Sequence, residues 1–186
     1  MHFYQIRSVN KHEKKGIIPI TLLSKDYPES LLNTEIPPLV LYCKGNISLL
    51  KEKTFGIVGS RKSLPLSINV AKNYATALSK SGYALVTGIA EGVDATVLKS
   101  ALESDGKPIS IIAGGFDNIY PSANKDLLEK VIAKGLAISE YPPETVPKPY
   151  QFPVRNRIIA GLSKGVLIVS GGIKSGTLYT AEYAEE

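Results

Sequence analysis

One punctuation recurs five times along this chain and constrains its fold more than any other feature. A short apolar run without polar alternation ends in a glycine or small polar residue, and a segment of helical periodicity follows. Residues 54–61, TFGIVGSR, are the first instance. The later runs are YALVT before Gly88, PISIIA before Gly114 and Gly115, LAIS at residues 136–139, and VLIV at 166–169 before GGIKSG. Between them Ile68, Ala71, Tyr74, Ala75 and Leu78 recur at helical spacing, as do Val93, Val97 and Ala101, and then Leu127, Leu128, Val131 and Ile132. Gly82 and Gly135 suit helix C-terminal caps, Ser122 or Asn124 suits a cap at a helix start, and Pro153 suits the first turn of a helix. Buried strands joined by helices predict an α/β fold, with a mainly parallel sheet covered by helices on both faces. Right-handed crossovers then place every strand's carboxyl end on one edge.

Residues 1–50 fit the pattern less well. Two extended pieces, 17–23 and 39–42, flank a short helical pattern at 29–33 that Pro37 and Pro38 prevent from continuing. This part reads as a cover or an added edge to the main sheet. With 186 residues, 44% of them apolar, the chain has the size of one domain rather than two. No apolar run approaches the roughly 18 residues of a bilayer-spanning helix, and residues 1–10 show no signal-peptide core, so a cytoplasmic protein without membrane contact is expected. The single cysteine, Cys43, excludes a disulfide within the chain and a cysteine zinc cluster. A net charge of +5 makes polyanions plausible partners, while the KHEKK cluster at 11–15 reads as a solvated loop or a nucleic-acid arm.

The segments expected at the carboxyl edge are GSRK, GIAEG, GGF, SEYPP and GGIKSG, and most are rich in glycine. A Gly turn leading into a helix offers unpaired N–H groups and the positive end of a helix dipole to a phosphate. A dinucleotide site needs G-x-G-x-x-G and an acidic residue after the second strand, and both are missing. The loop at 171–177, GGIKSGT, is not a Walker loop, yet Lys174, Ser175 and Gly176 suit an anion. Arg155 and Arg157 are two apart at a helix start and cannot face one way; either one of them meets the ligand or both bind loop carbonyls. Asp94, Asp117 and Glu140 lie near strand ends, as an acid–base pair or as capping and arginine-pairing groups. His2 and His12 are too far from this edge for a serine triad, and no cluster has metal-ligand spacing. No cofactor and no catalytic residue is expected.

Taken in order, GIVGSR, GIAEGVDA, GGFDNIYPSAN, ISEYPP, FPVRNRIIAGLS and KSGTLYTAEYA resemble the DNA-processing protein A family, also called DprA or Smf. The resemblance runs from about residue 27 to the end. It implies a Rossmann-like three-layer domain over 51–186, lacking a final strand that members carry, with residues 1–50 as an extension packed on it. It also implies a non-enzymatic, usually dimeric protein that binds single-stranded DNA and assists a RecA-type recombinase in natural transformation and recombination. Carried over by position, the DNA site would use Gly59, Ser60 and Arg61; Phe152, Arg155, Asn156 and Arg157; and Lys174, Ser175 and Gly176, with Gly88 and Gly114 from the intervening loops. Phe152 or Tyr150 would stack a base. The sequence departs from the family pattern at Leu98, where a histidine is common, and at the SGG of 170–172, where an acidic residue often stands. The glycine loops also resemble the LOG family of nucleotide phosphoribohydrolases, in which Glu140 or Glu182 would serve as acid or base. That is the alternative, as an enzyme or a nucleotide sensor.

Overall fold

The computed structural model describes residues 15–171 together with Thr180, Tyr183 and Ala184. Seven strands among them form one sheet: β1 (Ile18–Thr21), β2 (Val40–Gly45), β3 (Thr54–Val58), β4 (Ala84–Thr87), β5 (Lys107–Ile112), β6 (Leu136–Ser139) and β7 (Val166–Ile168). Their spatial order is β1-β2-β6-β5-β4-β3-β7. The five strands from β3 onward run parallel, while β2 pairs antiparallel with β6 and β1 antiparallel with β2. Every residue of β4 and of β6 is buried, as expected of strands covered on both sides.

Helices α2 (Pro65–Lys80), α3 (Val93–Glu103) and α4 (Lys125–Lys134) cover one face, and α1 (Glu29–Leu32) and α5 (Gln151–Leu162) the other. Alternation along the strands divides the core accordingly. Val58, Val86, Ile109, Ile111 and Ile138 pack with Leu31, Ile158 and Ile159, whereas Ile57 and Leu85 pack with Ala71, Ala75, Val93 and Val97. Ala137, Ile112 and Leu98 meet Leu127, Leu128 and Val131. The result is the expected α/β architecture of three layers.

Two local expectations are corrected. Tyr74 is exposed rather than on the buried face of α2, because the small Ala71 and Ala75 make the close contact with the sheet. Asn124 precedes α4 without capping it; its Nδ2 donates instead to the Ile89 carbonyl (2.8 Å), tying two loops together. Pro153 does fall in the first turn of α5, which starts two residues earlier.

The strand order fixes where a ligand can sit. From β3 the chain steps across β4, β5 and β6 in one direction, then returns through α5 on the opposite face to place β7 on the other side of β3. Helix α2 leaves the carboxyl end of β3 on one face, while α5 leads into β7 from the other, so the strand order reverses beside β3, where open sheets of this kind hold ligands in a crevice.

Candidate functional site

At this crevice residues 59–64 leave β3. Gly59 is required by packing: a Cβ there would lie 2.6 Å from Val93 at the start of α3. The loop is braced from β7, whose next but one residue is Ser170. The Ser60 N–H donates to Ser170 Oγ (3.2 Å), and the Ser63 and Ser170 hydroxyls lie 3.3 Å apart. The Lys62 N–H donates to Ser60 Oγ (3.2 Å), and α2 begins with a proline, which has no N–H. Two amides that the sequence pattern offered to an anion thus already have hydroxyl partners, one in the loop and one after β7, and the turn presents a side chain instead. That side chain is Arg61, exposed, with its guanidinium 4.9 Å from the centre of the Phe152 ring on α5.

The next loop follows β4. Gly92 has φ +75°, a backbone region costly for other residues, and lies against the Ser60 and Arg61 carbonyls. Gly88 packs over two opposite charges: a Cβ there would clash with Asp94 Oδ2 and come within 2.5 Å of Arg155 Nη1. Arg155 is only 7% exposed. Its Nη1 donates to the Ile111 carbonyl and its Nε to Asn156 Oδ1 (3.1 Å). Burial pushes the Asp94 carboxyl above its ordinary value, opposed in part by the positive charge of Arg155 and by the Ala90 N–H donating to it (3.3 Å). Burial likewise lowers the guanidinium of Arg155, with Asp94 opposing.

Arg157, buried on the same helix, donates from Nη2 to Glu140 Oε1 at 2.5 Å, joining α5 to the end of β6. Glu140, one of the two groups a hydrolase could use as acid or base, is therefore held by an arginine. Asp117 pairs with Lys15 (2.7 Å). Asp117 and Glu140 thus each pair with a cation, and Asp94 lies within the influence of the Arg155 charge. Gly114 sits beneath Pro147, whose ring would lie 2.9 Å from a Cβ at that position, so its small size serves the docking of the proline-rich loop.

Three serines at or near strand ends carry structural roles that the sequence did not reveal. Ser110 Oγ donates to the Gly88 carbonyl (3.1 Å) and Ser139 Oγ to that of Gly114 (2.8 Å), while Ser170 accepts from Ser60. Each hydroxyl ties the glycine turn of the neighbouring strand. The available signal was a hydroxyl at the end of, or within, an otherwise apolar run.

The exposed part of the edge is aromatic and basic. Tyr120, 55% exposed, meets Phe152 edge to face, with ring centres 5.7 Å apart and planes at 74°. Tyr150, just before α5, is exposed, as are Lys62 and Lys148. A cleft of about 70 Å³ lies between Arg61, Ala90, Glu91, Tyr120, Pro121 and Phe152. Lys174, Ser175 and Gly176 lie outside the described residues, as does Glu182. Among the described residues no group of histidine, cysteine and acidic side chains could hold a metal, and no helix is long and apolar enough to cross a membrane.

Comparison with known proteins gives a consistent picture. The DNA processing protein DprA of Bacillus subtilis strain 168 is 39% identical over 181 residues, covering 97% of this chain and 61% of that protein. The X-ray structure of DNA processing protein A from Streptococcus pneumoniae superposes with a TM-score of 0.87 at 35% identity, covering 95% of this chain and 63% of that one. DNA processing protein A from Helicobacter pylori, whose structure was described for its single-stranded DNA binding mode, gives 0.81 at 32% identity, over 89% of this chain and 75% of that one. This chain thus spans about three fifths of the length of the B. subtilis relative. The family model for DNA recombination-mediator protein A matches residues 19–186. With this match, and with the order of loops along the carboxyl edge, the chain belongs to the DNA recombination-mediator protein A family.

Proposed function

We propose that this chain binds single-stranded DNA through backbone phosphates at the carboxyl edge of the sheet, beside the strand-order reversal. The observation that carries the reading is Arg61, an exposed guanidinium held on an aromatic ring where the loops after β3 and β4 and the start of α5 converge. Arg61 and Lys174 are assigned to phosphates, with Ser175 and Gly176 beside the latter. Gly59 and Ser60 shape the Arg61 turn, Gly88 and Gly114 allow the loops to pack, and Phe152 carries Arg61. Arg155, Asn156 and Arg157 act from beneath, holding the loops in place. A duplex fits this edge poorly, since aromatic side chains there favour unstacked bases. The longer reading, that the protein works as a cytoplasmic homodimer and assists a RecA-type recombinase during DNA uptake and recombination, rests on kinship with the named relatives.

The test is fluorescence anisotropy with a labelled oligo-dT strand over a series of salt concentrations. With two to three phosphates neutralised, log affinity should fall with log salt at a slope of roughly −1.4 to −2.1, about −0.7 for each phosphate. Arg61→Ala should weaken binding about tenfold and flatten the slope by about 0.7. Binding that ignores salt and Arg61, or that a nucleoside monophosphate displaces fully, would defeat the proposal.

A further inference from the structure

A second hollow lies on the face covered by α1 and α5. It measures about 600 Å³, the size of a small-molecule pocket, and is lined by residues of 30–36, by α5 from Val154 to Gly161, by residues 163–166 leading into β7, and by Tyr183 and Ala184. Among the described residues that line it, none meets the strand in the reading above. The packing around it is close: a Cβ on Gly161 would lie 2.5 Å from Thr34 Cγ2, so the residues after α1 are seated directly on α5. Ile36, Val154, Ala160 and Val166 give it apolar walls. The Thr34 and Ser163 hydroxyls donate to the Leu31 and Ile159 carbonyls (2.8 and 2.7 Å), so their protons are committed to the protein. Lys164 and Glu35, both exposed, offset each other among the lining charges. Arg157 is different. It is 8% exposed and its Nη2 is on Glu140, yet its Nη1 is buried and has no hydrogen-bond partner among the described residues. Buried donors in proteins almost always have an acceptor, so this one marks a place for a ligand that supplies it.

We infer that this hollow binds a small organic anion, a carboxylate carried on an apolar body of about two rings. The carboxylate accepts from Arg157 Nη1, reached as the side chain turns slightly about its bond to Glu140, and the body lies against Ile36, Val154 and Val166. One guanidinium can serve two carboxylates at once, because its terminal nitrogens donate in separate directions. A charge-assisted hydrogen bond is stronger than one to a neutral acceptor, and the burial of Arg157 keeps water from competing. The site therefore prefers an anion to an alcohol of the same shape. It is a binding site, with no covalent bond made or broken, and it is separate from the one proposed for the strand.

The experiment is isothermal titration calorimetry at pH 7.5 with naphthoate and with naphthalenemethanol substituted at the same ring position, an anion and an uncharged molecule of the same body. Wild type should bind naphthoate about tenfold more tightly than the alcohol. Arg157→Lys keeps a cation for Glu140 and removes the spare donor, so it should weaken naphthoate about tenfold and leave the alcohol unchanged, with urea unfolding to confirm its fold. Ile36→Ala shortens a side chain that is 63% exposed and should weaken both molecules about threefold. Saturating oligo-dT should leave the naphthoate affinity as it was. Absence of naphthoate binding, equal affinity for the two molecules, or unchanged naphthoate affinity in folded Arg157→Lys overturns the inference. Displacement of naphthoate by oligo-dT overturns it too, since the hollow would then belong to the path of the strand. Should Arg157→Lys fail to fold, unchanged naphthoate affinity in Ile36→Ala decides against the site.

Discussion

Arg155 lies at the carboxyl edge with its charge turned inward, toward a carboxylate that shares its burial. Removing one of two buried opposite charges strands the other, which typically costs 3–5 kcal/mol. Arg155→Met should therefore destabilise the fold by about 3 kcal/mol in urea unfolding. Asp94 gives a pH signature. Its folded-state pKa is raised, so its contribution is fully present below the unfolded value near 3.9 and is lost as pH rises through the higher folded value. Relative to Asp94→Asn, the wild type should lose stability as pH is raised from about 4 toward neutrality, which urea titrations at several pH values would record. The sequence left the two arginines open between ligand and loop carbonyls, since two charges at a helix start look alike until their neighbours are placed. In the fold both are buried, Arg155 donating to the Ile111 carbonyl beside Asp94 and Arg157 to Glu140, and these neighbours come from distant parts of the chain.

At the scale of elements, the strands and most helices were legible because their hydrophobic periods are unambiguous. The apolar runs from 54, 83, 108, 136 and 166 match β3 to β7 within one or two residues. The loops were less legible. Their glycines suggested ligand contacts, whereas Gly88 and Gly114 each have a packing partner from another segment. The proline-rich loop shows how strict such packing is. Gly115 lies against the Pro142 and Pro143 carbonyls, and its N–H donates to the Thr145 carbonyl (2.8 Å). Those neighbours are backbone atoms and cannot swing aside, so Gly115→Ala should lift the loop and cost about 2–3 kcal/mol. A lowered unfolding midpoint, with weaker DNA binding through displaced Tyr150 and Phe152, is the outcome to look for.

At the scale of the whole molecule, Cys43 stands on β2, between the edge strand β1 and β6, and is wholly buried in the core, where burial pushes its thiol up to about 12. A thiol so placed is protonated and out of reach at neutral pH. It should label with a thiol reagent only at the rate at which this part of the sheet opens, and at once in urea. Fast labelling under native conditions would show that β2 comes away from β6 independently of the rest.

The brace between Ser60 and Ser170 joins positions 110 residues apart, and β7 lies beside β3 on the same pattern. While a nascent chain is still short of Val166, β3 is the outer margin of a half-built sheet, with a row of unpaired backbone groups facing outward. The strand that shields this margin and the hydroxyl that steadies the Arg61 turn emerge from the ribosome almost together. The margin of β3 is therefore covered, and the crevice beside it completed, in one step.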